Sequence, residues 1–222
     1  LGLDLHNGQA RYRVRAPLPF LGPTVAWGRR FAAVLGRKER SVVVVADAHS
    51  GTVDWNVELP LALPSQPLSV GPRLALAGER DGQGLIVCLD AKGRVAWEKR
   101  LHLGHGPYRL LAIGRAILAT SSTGAATLLE STGEVRWHLG ASGGPVARAP
   151  RAAAVRGVVL LPGEHVRAVD PKSGQVLAEV GANPGLCDLQ VDGKLNLFLL
   201  DEHGTLMAYR LATHFTVVGA PR

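Results

Sequence analysis

The chain has 222 residues, 46% of them hydrophobic and 19% charged, enough apolar material to bury a sizeable core in one large domain or two small ones. Its 27 Gly and 14 Pro exclude a helical bundle, and Arg, Gly or Pro cuts every apolar run short of a membrane-spanning helix. The formal charge of +7 favours an acidic partner, but the arginines are scattered singly without interleaved aromatics, which argues against nucleic acid.

Along the chain one phrase recurs: apolar residues, an acidic residue, a short polar turn ending in Gly, then an outgoing strand. It reads LDLHNGQARY at 3–12, with Asp4 and Gly8, and ADAHSGTVDW at 46–55, with Asp47, Gly51 and Trp55. It returns as LDAKGRVAW at 89–97 (Asp90, Gly93, Trp97) and LESTGEVRW at 129–137 (Glu130, Gly133, Trp137). The last clear copy is VDPKSGQVLA at 169–178 (Asp170, Gly174), and a degraded one, YRLATHFTVV, occupies 209–218. The turn glycines are spaced by 43, 42, 40 and 41 residues. Pro23, Pro67, Pro107, Pro145 and Pro184 each precede a short apolar run and repeat at 44, 40, 38 and 39 residues. A further small turn lies between each Pro and the next turn glycine, so every period holds four strand-length segments. In the first full period these are roughly 23–27, 31–35, 42–47 and 53–58.

Four antiparallel strands at a period of about forty residues indicate propeller blades. One four-stranded sheet cannot cover both its faces, so successive sheets stack on each other. The expected fold is therefore all-β: a β-propeller of four-stranded antiparallel blades forming a single domain over 1–222. Residues 1–16 supply only a C–D hairpin of one blade, with strands lettered A to D from the axis outward. Five complete blades follow at 17–58, 59–100, 101–140, 141–180 and 181–218. The acidic residue accepts backbone hydrogen bonds across the C–D turn and Gly supplies the positive φ. The Trp on strand D packs across the neighbouring blade; Tyr12 and Ala178 hold the same place in two copies, and Trp27 lies outside the phrase.

The D-x-x-x-G-x-x-x-W phrase, complete at Asp47, Gly51 and Trp55, resembles the tryptophan-docking motif of PQQ-type (quinoprotein alcohol dehydrogenase-like) propeller repeats. The resemblance covers nearly the whole chain. That family holds quinone-dependent dehydrogenases and also non-enzymatic propellers, among them an envelope assembly lipoprotein and kinase sensor domains. The enzymes are longer, eight-bladed, and carry adjacent cysteines over the cofactor and a calcium site. Here Cys88 and Cys187 stand far apart in sequence, and no such site can be matched residue by residue. The reading therefore assigns no catalytic, cofactor-binding or metal-binding residue, and no cofactor.

Histidines occur where loops would gather: His102 and His105 in one D–A connection, His165 and His203 in B–C turns, His6 and His49 in C–D turns. Loop exposure accounts for them without a metal. What remains is binding through the face built by D–A and B–C connections. It would carry Arg37, Lys38 and Arg40 in one B–C turn, Arg80 in the next, and Leu61 and Leu63 in the connection LPLALPSQP at 59–67. Apolar beside basic residues on exposed loops suit a protein interface; the other reading places Leu61 and Leu63 in the groove between blades. The expectation is a non-catalytic scaffold or recognition subunit holding protein partners in a larger, envelope-associated bacterial assembly, periplasmic or at the cell surface, as the resemblance implies. The alternative is a PQQ-dependent dehydrogenase or a quinone or ligand sensor. Because the chain opens on Leu1 inside a strand, it is expected to be part of a longer product whose N-terminus would carry the export signal or lipid anchor.

Overall fold

The computed structural model describes residues 2–3, 7, 9–14, 16, 18–37, 40–144, 151–181, 186–201 and 203–211. Among these the regular structure is all β-strand, in antiparallel sheets whose strands follow one another in chain order. A hairpin of β1 (Gly2–Leu3) and β2 (Ala10–Tyr12) comes first. Blade 1 is β3 (Val25–Trp27), β4 (Arg30–Arg37), β5 (Arg40–Asp47) and β6 (Val53–Leu59). Blade 2 is β7 (Leu68–Val70), β8 (Arg73–Arg80), β9 (Gln83–Leu89) and β10 (Val95–Leu101). Blade 3 is β11 (Tyr108–Ile113), β12 (Ala116–Ser121), β13 (Ala126–Leu129) and β14 (Val135–Leu139). Blade 4 is β15 (Ala153–Val155), β16 (Val158–Leu161), β17 (His165–Val169) and β18 (Val176–Gly181). Blade 5 shows three strands, β19 (Leu186–Val191), β20 (Asn196–Asp201) and β21 (Leu206–Arg210). Its fourth strand, expected near 214–218, lies outside the described residues.

The chain divides into two compact units, Leu1–Arg100 and Leu101–Arg222. Within each, the core follows from the period-2 alternation of the strands. In the first unit, Ala32, Val34, Val43 and Val45 of blade 1 pack against Leu74, Leu76, Leu85, Val87 and Leu89 of blade 2. In the second, Leu118, Ala126 and Leu128 of blade 3 meet Val159, Leu161 and Val169 of blade 4. The opposite side of blade 4, with Val158, Leu160, Val166 and Ala168, meets Leu189, Leu197 and Leu199 of blade 5. Strands B and C of blades 2 to 4 are thus buried on both faces and read as β-branched or aliphatic runs, as in LIVCL. The D strands β6 and β10 are mostly exposed.

Strand D begins with a repeated irregularity. Val45 pairs with Trp55 but Ala46 pairs with Val53, so Asp54 is an extra residue. Arg136 and Leu177 occupy the same place in blades 3 and 4. Such a bulge bends the strand and re-aims the side chain beside it, which is the recurring strand-D aromatic in blades 1 and 3.

Candidate binding face and the turns that support it

The C–D turns close around their acidic residue. Asp47 Oδ1 accepts the amides of His49 at 2.9 Å and Ser50 at 2.8 Å, and Asp90 Oδ1 those of Lys92 at 2.8 Å and Arg94 at 3.0 Å. Asp170 takes the Lys172 amide at 2.9 Å and the Ser173 hydroxyl at 2.7 Å. Amides aimed at a carboxylate favour its charged form, and all three carboxyls lie below the ordinary 3.8, through the Ser50 amide first at Asp47, the Arg94 amide at Asp90 and the Lys172 amide at Asp170. Glu130, one methylene longer, instead accepts the guanidinium of Arg136.

Three of these turns, at Asp47, Asp90 and Asp170, receive an aromatic from the preceding strand D. Tyr12 donates its hydroxyl to the Ala48 carbonyl at 2.9 Å, Trp55 its indole N–H to Ala91 at 3.1 Å, and Trp137 to Pro171 at 3.0 Å. The acceptor is in every case the residue just after the acidic one. The ring lies over the turn glycine: a Cβ on Gly93 would stand 2.7 Å from Trp55, and one on Gly174 2.7 Å from Trp137. Glycine is required there twice over, by φ of +79° and +77° and by the ring above it. Trp97 is half-buried on β10, and Gly133 closes its turn through its amide to Glu130 O at 2.9 Å. Asp4 and Gly8, with His6, lie outside the described residues.

Sequence reasoning missed part of this seam. Trp27 is buried and donates its indole N–H to the Gly71 carbonyl at 3.1 Å, 44 residues away and thus one period on. It meets Trp55 edge-on with centroids 6.2 Å apart, and Arg30 lies over its ring. Arg30 also pairs with the bulged Asp54 at 2.7 Å and donates to Ala91 O. The signal was present as a Trp directly before an A–B turn, one period ahead of the matching turn. Asp192 and Asp201 were also missed; each accepts two turn amides in blade 5, doing in its A–B and B–C turns what the C–D aspartates do.

The opposite end of the sheets is the candidate face. Both D–A connections in the first unit run back along the free edge of strand B, through the bridges Phe20 to Leu35 and Ala62 to Glu79. That path decides between the two readings of LPLALPSQP. Leu61 is 0% exposed and belongs to the core shared by blades 1 and 2, with its carbonyl taking the buried Ser41 hydroxyl at 2.7 Å, so it offers nothing to a partner. Leu63 is 58% exposed, and Phe20, in the equivalent connection, is 54% exposed beside exposed Leu21. Arg40 pairs with Glu58 at 3.1 Å and remains largely in solvent. Arg80 pairs with Glu98 at 3.2 Å and donates to Pro60 O at 3.3 Å, which ties a B–C turn to the neighbouring connection. The side chain of Arg37, and Lys38 altogether, lie outside the described residues.

An apolar cavity of about 550 Å³ opens in the first unit between residues 12–24 and the outer side of blade 1. Phe31, Ala33, Leu35, Val42 and Val44 form its floor, Val14, Leu18 and Phe20 one wall, and Thr24 and Asn56 are among its few polar groups. Cys88 is fully buried, and burial pushes its thiol up to about 11, which leaves it unreactive near neutral pH. His49, His102, His105, His165 and His203 are exposed. Among the described residues no three His, Cys, Asp or Glu side chains are grouped to hold a metal ion, and no helix is long and apolar enough to cross a membrane.

Comparison with known proteins bears on both fold and family. A family model of PQQ-type repeats, described as outer membrane protein assembly factor BamB, matches residues 39–185. Among solved structures, the crystal structure of BamB from Moraxella catarrhalis superposes with a TM-score of 0.61 at 16% identity, covering 94% of this chain and 78% of that one. The computationally designed Ika8 protein gives 0.63 at 12% identity, over 85% of this chain and 70% of that one. The designed Ika4 protein gives 0.51 at 17% identity, over 67% and 89%. At these identities the likenesses show the fold, a β-propeller of four-stranded blades. No curated protein matches the chain in sequence.

Proposed function

The chain belongs to the PQQ-type repeat family of the outer membrane assembly factor BamB, and from that premise we propose that it is a non-catalytic scaffold that holds a protein partner within a larger assembly of the bacterial envelope, in the periplasm or at the cell surface. The observation that carries the reading is the exposure of Phe20, Leu21 and Leu63 on D–A connections, at the same end of the blades as the B–C turns bearing Arg40 and Arg80. Large apolar side chains flanked by guanidinium groups are the makings of an interface with an apolar centre and a polar rim. The acidic residues of the repeat are spoken for by their turns, so they support the structure and not a reaction. Arg37 and Lys38 belong to the same proposed face by their place in the B–C turn.

The test is quantitative capture of partners from the native source by the wild type and two double variants. Phe20→Ser with Leu63→Ser is expected to weaken capture by at least about tenfold, since buried interface anchors each carry about 2 kcal/mol or more. Arg40→Ser with Arg80→Ser is expected to slow association more than it weakens the bound state. Melting temperatures should barely change, because exposed ion pairs contribute only about 0–1 kcal/mol. Unchanged capture by both variants would remove this face from the interface.

A second reading, a ligand-sensing propeller, rests on the apolar cavity, whose volume falls within the range of small-molecule pockets. Purified protein carrying a stoichiometric quinone chromophore would favour that reading over the scaffold.

A further inference from the structure

Aligned three residues before the acidic turn residue, strand C of the first four blades carries an aliphatic residue, a threonine or, once, an arginine. The residues are Val44, Val87, Thr127 and, in blade 4, Arg167. Arg167 is only 7% exposed. Its neighbours Val166 and Ala168 pack toward blade 5, whereas Val169, two residues on, packs on blade 3. By strand alternation Arg167 therefore enters the seam between blades 3 and 4.

The two terminal nitrogens are satisfied by main chain. Nη2 donates to Gly124 O at 2.6 Å, and both Nη1 and Nη2 reach Gly140 O at 3.3 Å. Nε is buried without a partner, and so are two hydroxyls, Thr120 Oγ1 and Ser142 Oγ. All three face the seam between blades 3 and 4. Thr120 lies two residues beyond Leu118, on the side of β12 that faces blade 4. Ser142 is pinned by its amide to Thr123 O at 3.1 Å, and its hydroxyl sits in the space that a Cβ on either Gly124 or Gly163 would enter. The same Gly124 supplies the carbonyl that holds Arg167.

A buried guanidinium stays protonated at neutral pH and calls for a negative charge as well as acceptors. The carbonyls give acceptors but no charge. Glu179, opposite Arg167 in the sheet, is exposed and acts on it only through space, and among the described residues no carboxylate forms a direct ion pair with it. We propose that the seam between blades 3 and 4 binds one small monovalent anion of the chloride class, held by Arg167 Nε–H and by the hydroxyls of Thr120 and Ser142. The set is made of one charged donor and two hydroxyls free to turn their protons inward, and so few donors suit a bare halide better than a larger oxyanion.

The experiment compares melting in sodium chloride and in sodium gluconate at equal ionic strength, with a crystal grown in sodium bromide. Chloride tenfold above its Kd is expected to raise Tm by about 3–6 °C, saturably, and bromide to give an anomalous peak beside Arg167 Nε. Thr120→Val, which keeps the shape, should shift the chloride midpoint to higher concentration. Arg167→Met should abolish the dependence; if that variant does not fold, Thr120→Val and the bromide crystal decide the matter. Equal melting in both salts, or density for an ordered water only at the bromide-grown site, would overturn the proposal.

Discussion

Trp137 and Trp55 perform one task in two settings, and their difference is measurable. Both donate an indole N–H to the carbonyl after the acidic turn residue, but Trp137 is buried and Trp55 only half-buried. Trp137→Ala is expected to cost about 3–5 kcal/mol, the usual loss for a buried large aromatic. Trp55→Ala should cost less, below about 3 kcal/mol, because part of its ring already meets water. Denaturant melts of the two variants check the order, and an inverted order would contradict the docking geometry. Glycines separate in the same way. Gly93→Ala adds a Cβ into the Trp55 ring at positive φ, whereas Gly28→Ala at φ +60° meets nothing within 4 Å. The first should therefore exceed the second by about 1–3 kcal/mol, the cost of overpacking, in the same melts. Not every residue of this kind could be read from sequence. Arg167 is an outlier once the copies are aligned on their acidic residues, but its burial and its two orphaned neighbours, Thr120 and Ser142, depend on where loops 121–125 and 140–144 run. Leu61 and Leu63, two residues apart in one apolar connection, were indistinguishable until the bridge from Ala62 to Glu79 turned one inward and the other out.

The turn and the strand are the next scale, and there the sequence was most informative. The segment expected at 42–47 is Arg40–Asp47, and that at 53–58 is Val53–Leu59. Three independent markers share one period: the acidic residue with its Gly, the Pro, and the second small turn. Each has a local cause in turn chemistry, so each survives without knowledge of the tertiary fold. The bulge before the strand-D aromatic was invisible, because one extra residue leaves no compositional mark. The turns also set a pH response. A carboxyl whose folded pKa lies below its unfolded value stabilises the fold above about pH 4, and that contribution disappears as pH falls through the folded value. Asp47, Asp90, Asp170 and Asp192 all have this sign. Tm should therefore fall from pH 5 to pH 2, and Asp170→Asn should flatten the fall while lowering Tm at neutral pH. A variant as acid-sensitive as the wild type would show that the turn carboxylates are not the groups being protonated.

At the scale of the molecule, the repeat explains nearly all its conspicuous residues by structure, and that is why function was less legible than fold. Acidic, glycine and tryptophan positions recur because turns and seams need them, so they carry no information about a partner. What does not repeat is more telling. Phe20, Leu21 and Leu63 stand in solvent, whereas Leu61, in the same connection as Leu63, and Leu103, in the next, are buried, and the net charge of +7 lets an acidic partner be drawn in at long range. The central claim, that the chain works through the end of its blades bearing these connections, is tested most directly by site-specific photo-crosslinking in the native source. A photo-reactive phenylalanine analogue is placed at Leu63, or at Lys92 in a C–D turn at the other end of the sheets. Discrete high-mass adducts to envelope proteins from position 63, and none from position 92, are the result expected. Adducts of equal yield from both positions, or from position 92 alone, would contradict the claim.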